Sequence, residues 1–334
     1  MEKEPIFKRI LKIKQIVLVL ILLAVILMFY LLNPNYLGRD NLRGIMHSMS
    51  LTGIMAVGMS CLFIGGGIDL AATTESLFAG VVCALLMKAG VPWPVAVIIT
   101  LIAGAIMGVI IAGMVTYLRM MPFIATIAVS NVFIGITRAL TNSQNVPIPN
   151  QSFWALGGAN LFRLIPLPFI IMLCLLIIYG FILRNTQFGR NIYLVGGNMN
   201  AARLSGLNPM KIKSILYINN GILSSLAGII VASKMHSASP SSASDAHMSA
   251  ITAAILGGVS FSGGSGSMSG CFIGILLLNF FSNGLNALSL ESYWQTIAQG
   301  ALLIIALAVD FFRARSQERA LKVKLEIRKG EAVS

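Results

Sequence analysis

The chain has 334 residues, of which 57% are apolar and only 10% charged, with a formal charge of +13. A soluble chain carries about a quarter charged residues, so a water-soluble globular class is excluded. The charge does not indicate nucleic acid, because the basic residues gather at the ends of apolar runs and in loops, where they report topology. No strip of alternating aromatic and basic residues is present for stacking and tracking a strand.

Apolar runs of about 20 residues recur along the sequence, each long enough to cross a hydrocarbon core about 30 Å thick as a helix. Helices are the expected form, since lipid cannot satisfy open backbone hydrogen bonds. The expected fold class is therefore all-α: a polytopic membrane protein of about ten transmembrane helices, one of them broken or re-entrant.

Residues 1–15 carry Lys3, Lys8, Arg9, Lys12 and Lys14 and are expected to form a cytoplasmic basic N-terminus. The apolar run 16–32 that follows is too long for a signal-peptide core, and no small-residue cleavage site comes after it. Span two is expected at 44–64, ending in Gly65-Gly66-Gly67-Ile68-Asp69-Leu70, and span three within 71–88. Spans four (92–116) and five (122–140) follow, the latter opened by Pro122 where proline is tolerated. A polar loop at 141–163 leads to span six at 164–183.

The segment 184–213 interrupts this pattern. It carries Arg184, Arg190, Arg203, Lys211 and Lys213 without a carboxylate, and glycines punctuate its short helix-forming stretches. Span seven is expected at 211–234, then a small-residue loop at 237–247. The apolar stretch 248–262, counted as span eight, is marginal in length for a crossing and reads as a broken or half-depth helix, the kind that lines transporter cavities. Spans nine (268–287) and ten (293–312) precede a basic cytoplasmic tail at 313–334. Ten crossings from a cytoplasmic N-terminus place Arg119, the 184–213 loop and the tail on the cytoplasmic side, in keeping with the positive-inside bias.

Glycine pairs follow both span two (Gly65-Gly66) and span eight (Gly257-Gly258), a faint echo that suits two related halves with interrupted helices. Gly104, Gly108 and Gly113 permit close helix approach.

No catalytic residues are expected. The chain lacks a Walker motif, a nucleophile-elbow spacing and a ligand cluster around His47, His236 or His247. No metal site is expected, and Cys61, Cys83, Cys174 and Cys271 read as small hydrophobes. Charge inside the spans is scarce: Asp69 and Glu75 begin span three and Arg138 lies late in span five. Asp69 is the leading candidate for a translocation-path residue, or else a cap on the third helix. Other path candidates are Thr73, Asn131, Asn219, Asn279 and Asn283, with Ser130 and Asn220 beside them. Their alternative role is hydrogen bonding between packed spans. So few buried acids disfavour an ion-driven carrier and favour a path powered from elsewhere.

Taken in order, Gly66-Gly67-Ile68-Asp69-Leu70, Pro122-Phe123-Ile124-Ala125-Thr126, Phe188-Gly189-Arg190-Asn191 and Gly196-Gly197-Asn198 form a specific series. It continues through Ala201-Ala202-Arg203-Leu204-Ser205-Gly206, Leu256-Gly257-Gly258, Asn283-Gly284-Leu285 and Tyr293-Trp294-Gln295. Over nearly its full length the chain resembles the permease subunits of bacterial ABC sugar importers of the ribose, xylose and arabinose type. The resemblance implies a multi-pass protein of the bacterial inner membrane that works as a dimer with a second permease copy or paralogue, surrounded by lipid. It also implies cytosolic ABC ATPase subunits, which would carry ATP and Mg so that this chain holds no cofactor, and an extracytoplasmic sugar-binding protein.

The resemblance makes 196–206 a coupling helix seated in the ATPase, with Arg190, Gly196, Gly197, Asn198, Ala201, Ala202, Arg203, Leu204, Ser205 and Gly206 as its residues. The local chemistry is compatible: Asn198 is a suitable N-cap, Ala201, Ala202 and Leu204 offer a compact face, and Gly206 can end the turn. The sequence departs from the family pattern at Ala71-Ala72-Thr73-Thr74-Glu75-Ser76, at Ala246-His247-Met248-Ser249, at Gly264-Ser265-Gly266-Ser267 and at Ala112-Gly113. A nucleoside or a signalling sugar therefore stays open as an alternative solute.

Overall fold

A computed structural model describes residues 6–161, 164–240 and 246–331. Lys3, Arg163, Asp245 and the last three residues of the expected tail lie outside the described residues. The described chain is helical almost throughout, its only strands being four two-residue pieces paired in two antiparallel bridges.

In chain order the helices are α1 (Ile6–Leu32), α2 (Arg39–Ile64), α3 (Ala72–Lys88), α4 (Trp93–Ala112), α5 (Pro122–Thr141) and α6 (Gln151–Gly158). They continue with α7 (Leu167–Asn185), α8 (Gln187–Gly197), α9 (Met199–Leu204), α10 (Pro209–Met235), α11 (Ala246–Leu256), α12 (Met268–Ala287) and α13 (Ser292–Glu331). Six of them (α2, α4 with its π-helical extension, α5, α7, α10 and α12) are long and apolar enough to cross a membrane. Shorter apolar helical stretches occur at Ile16–Leu32, Ala246–Leu256 and Ser292–Ala308. The chain is an all-α, multi-pass membrane protein.

Helix α10 lies at the centre, and glycine determines how closely its neighbours approach. A Cβ on Gly104 of α4 would overlap Ser225, and one on Gly108 would fall 2.6 Å from the Tyr217 carbonyl oxygen. On α10 itself, a Cβ on Gly228 would strike the Ser76 carbonyl of α3. Without a hydrophobic drive between helices in lipid, such backbone contact is a main source of association. Gly113 plays no such part, since a Cβ there would meet open space; it begins the π-turn Gly113–Tyr117 instead.

Several boundaries differ from the sequence expectation. The polar loop after α5 is folded: Ser233 of α10 donates to Phe153 O at 2.6 Å and accepts from Gly157 N at 2.8 Å, pinning α6 onto α10. His236, in a left-handed conformation at the end of α10, stacks on Trp154 with ring centroids 4.1 Å apart. Helix α13 runs without a break from the expected tenth span through the basic tail. Arg, Lys, Glu, Gln and Ala all favour helix, so the change in composition at 312 is not a change in backbone. Among the cysteines, Cys61, Cys83 and Cys271 are buried but Cys174 is exposed on α7.

Candidate functional site

Two interrupted helices and one surface helix pair converge at one end of the bundle. Helix α2 stops at a glycine turn in which Gly66 N donates to Phe63 O (2.8 Å) and Gly67 N to Leu62 O (2.9 Å), with Gly66 at φ +71°. Helix α11 stops in the same way. Gly258 N donates to Ile255 O (2.8 Å) and Val259 N to Ala254 O (3.0 Å), with Gly258 at φ +86°. Both are left-handed glycine caps that satisfy carbonyls the helix would otherwise leave open. At eleven residues, α11 is about 16 Å long, roughly half the hydrocarbon thickness, as the sequence led us to expect for this stretch.

The two turns are joined by backbone. Gly264 N donates to Ile64 O at 2.8 Å, and Gly196 of α8 is wedged against the same two groups, where any side chain would collide with the Ile64 carbonyl. Tyr193 of α8 donates to Gly266 O (2.8 Å) and Lys213 of α10 donates to Gly66 O (3.0 Å). Burial pushes the Tyr193 phenol above its ordinary value, so it stays a neutral donor.

Helix α9 stands on this junction. Asn198 caps it, its side chain accepting from Asn200 N and Ala201 N at 3.0 Å each, and Gly206 at φ +80° ends it. The structure corrects the expected single helix over 196–206. Gly196 and Gly197 close α8, Gly196 packs inward, and the projecting helix is Met199–Leu204. It also divides the expected face: Ala202 is buried, whereas Leu204 is 92% exposed. Arg190, Ala201, Arg203, Ser205 and Gly206 are exposed around it.

Asp69 lies in the first interruption and is fully buried. Its Oδ1 accepts from Ala71 N (2.8 Å) and its Oδ2 from Asn220 Nδ2 (2.9 Å), so it caps the entry to α3 and fastens that entry to α10. Tyr217 adds a hydrogen bond to Ile68 O at 3.1 Å. Thr73 meets His247 of α11 twice, through Nδ1 and through the backbone N–H, both at 2.9 Å. Thr74 meets Ser130 of α5 at 2.6 Å.

The remaining path candidates are not gathered here. Asn219 accepts from Tyr179 of α7, and Asn131 is exposed on α5. Asn279 donates to Ile275 O of its own helix, and Asn283 accepts from Asn41 at 2.8 Å, close to Tyr36. Two residues were missed by sequence reasoning. His247 belongs to no ligand cluster but ties the start of α11 to the start of α3 through Thr73. Asp310 of α13 holds the second interruption, accepting from Phe261 N (3.0 Å) and Ser260 Oγ (3.3 Å). A lone acid inside the apolar run 293–312 was the available signal for Asp310.

Among the described residues no group of three or more His, Cys, Asp or Glu could hold a metal ion. No solved structure matches the chain. The family described as branched-chain amino acid transport system / permease component matches residues 41–307. The Ribose import permease protein RbsC of Escherichia coli K12 is 36% identical over 300 residues, covering 89% of this chain and 92% of its own. The L-arabinose ABC transporter permease protein AraH of Azospirillum brasilense is 30% identical over 92% of this chain and 90% of its own length. The Xylose transport system permease protein XylH of Haemophilus influenzae is 31% identical over 89% of this chain and 96% of its own. With a family match over residues 41–307 and relatives at 30–36% identity along most of its length, the chain belongs to the branched-chain amino acid transport system / permease component family.

Proposed function

We propose that this chain is the membrane-spanning subunit of an ATP-driven importer that moves a monosaccharide, ribose-like or another sugar, across the bacterial plasma membrane. The observation that carries the mechanism is the contrast within nine residues between Leu204, projecting into solvent, and Gly196, wedged on the carbonyl that ends α2. A partner gripping α9 would push directly on backbone at both interruptions. Bistable packed elements convert such small displacements into discrete rearrangements.

The partner is a cytosolic ABC ATPase, which contributes ATP, Mg and the hydrolysis; this subunit performs no catalysis. In this reading α9 is the coupling helix, ten crossings leave both termini in the cytoplasm, and a binding protein delivers the sugar from outside to a permease dimer. The names of the relatives support a sugar as the solute. Scarcity of buried acid disfavours ion coupling.

The test is a reconstituted complex in lipid. Loaded binding protein should stimulate ATP hydrolysis and sugar uptake, and Leu204→Asp or the pair Arg203→Ala and Gly206→Val should abolish both without unfolding the permease. Uptake against a gradient by the permease alone, or unchanged assembly and transport in these variants, would refute the assignment. Competition among ribose, arabinose and xylose identifies the solute.

A further inference from the structure

Glu75 is the most anomalous side chain in the molecule. It lies in the first turn of α3 with no exposed surface, and neither Oε1 nor Oε2 has a hydrogen-bond partner. The Ser224 hydroxyl of α10, also buried and with no other partner, is the group placed to hydrogen-bond the carboxyl. One turn away, Asp69 has two donors, at 2.8 and 2.9 Å. An ionised carboxylate in such a place, beside a second carboxylate and with a single hydroxyl as its polar neighbour, is strongly disfavoured by lost solvation.

Most of the described ionisable groups nearby are acids or are committed elsewhere. The preceding turn contributes Asp69, an acid. On α10, Tyr217 donates to Ile68 O and Lys213, two turns back from Asn220, donates to Gly66 O. His247 of α11 is held at Thr73. Helix α4 has no ionisable side chain, and Arg138 of α5 is exposed in its last turn, two turns beyond Ser130. Space is as restricted as charge, because the next turn of α3 touches the α10 backbone at Gly228.

We propose that Glu75 is a proton-binding site: its carboxyl holds one proton while α3 is packed on α10, donating it toward Ser224 Oγ, and releases it to water when that contact opens. Asp69, with its two donors, is the member of the pair that keeps the negative charge. When two acids share a dry site, one of them remains neutral. Protons bound preferentially by the packed state stabilise it at low pH, and this contribution is lost as pH rises far enough to ionise the buried acid. Glu75 lies in the 71–76 stretch, which departs from the pattern of the family that the chain resembles. The inference does not rest on the solute or on the coupling assignment.

The experiment uses the full-length protein in lipid nanodiscs with carbon-13-labelled glutamate, read by infrared spectroscopy at neutral pH, with thermal midpoints taken across pH. A protonated-carboxyl stretch is expected in the parent protein and should be absent in Glu75→Gln and in Glu75→Met. The parent midpoint should fall with rising pH more steeply than either variant's. If both variants fail to fold, the labelled parent spectrum decides alone. Absence of the band in the parent, or its persistence in the folded variants, would overturn the proposal. So would a rise of the parent midpoint, unmatched in the variants, when sodium replaces a bulky organic cation, since a metal ion would then be the occupant.

Discussion

The two helix interruptions end in the same glycine turn and are then stabilised in opposite ways. The first, 65–71, is seven residues long by position, and its polar groups are buried and bonded to α10 through Asp69, Asn220, Tyr217 and Lys213. The second, 257–267, is longer, with Phe261 exposed and its main anchor an Asp on the last helix. A short interruption buried against a central helix is fixed by its own chemistry. The longer one depends on Asp310 of α13, on Tyr193 of α8 and on the backbone bond from Gly264 to Ile64. The first is therefore anchored by more deeply buried groups than the second, with Gly196 the wedge between them.

The comparison breaks most completely at the wedge. Gly196→Val forces a side chain into the Ile64 carbonyl and should cost about 3 kcal/mol or more, seen as loss of folded protein by gel filtration. The difference in anchoring predicts the next effect. Asp69→Ala strands two buried donors and should lower stability by roughly 2–4 kcal/mol, whereas Asp310→Ala, at a more exposed loop, should cost about 1 kcal/mol. Equal losses in thermal midpoint would show that the two interruptions are held alike.

The shared turn predicts equality instead. Gly66→Ala and Gly258→Ala each place a Cβ at positive φ, and each should cost about 1–2 kcal/mol, because neither new methyl meets an atom closer than 3.5 Å. The smallest effect belongs to the exposed helix: Leu204→Ala should change stability by less than about 0.5 kcal/mol, while coupled ATP hydrolysis in the assembled complex falls.

Much of this was legible in the residues. The apolar runs located α2, α4, α5, α7, α10 and α12 to within a few residues, because helix length is set by bilayer thickness and the flanking Pro, Gly and polar residues mark the ends. Asn198 as a cap, Gly206 as a stop and the shortness of α11 followed from local chemistry alone. What failed was anything requiring knowledge of which face turns inward. Ala202 and Leu204, two positions apart, could not be assigned opposite fates from a six-residue helix. Gly196 looked like part of the coupling surface and is a packing contact.

The pairing of Thr73 with His247, 174 positions apart, had no sequence signal. The same holds for Asn279, which bonds within its own helix, and for Asn131, which lies exposed on α5. Composition and periodicity thus determined that this chain is a membrane-embedded helical bundle and where its helices break, since those properties depend on hydration and on short-range backbone geometry. The tertiary structure alone decided which broken ends touch, which acid is bonded and which is left without a donor. Those outcomes depend on side chains brought together from distant parts of the chain by glycine contacts that no local pattern encodes.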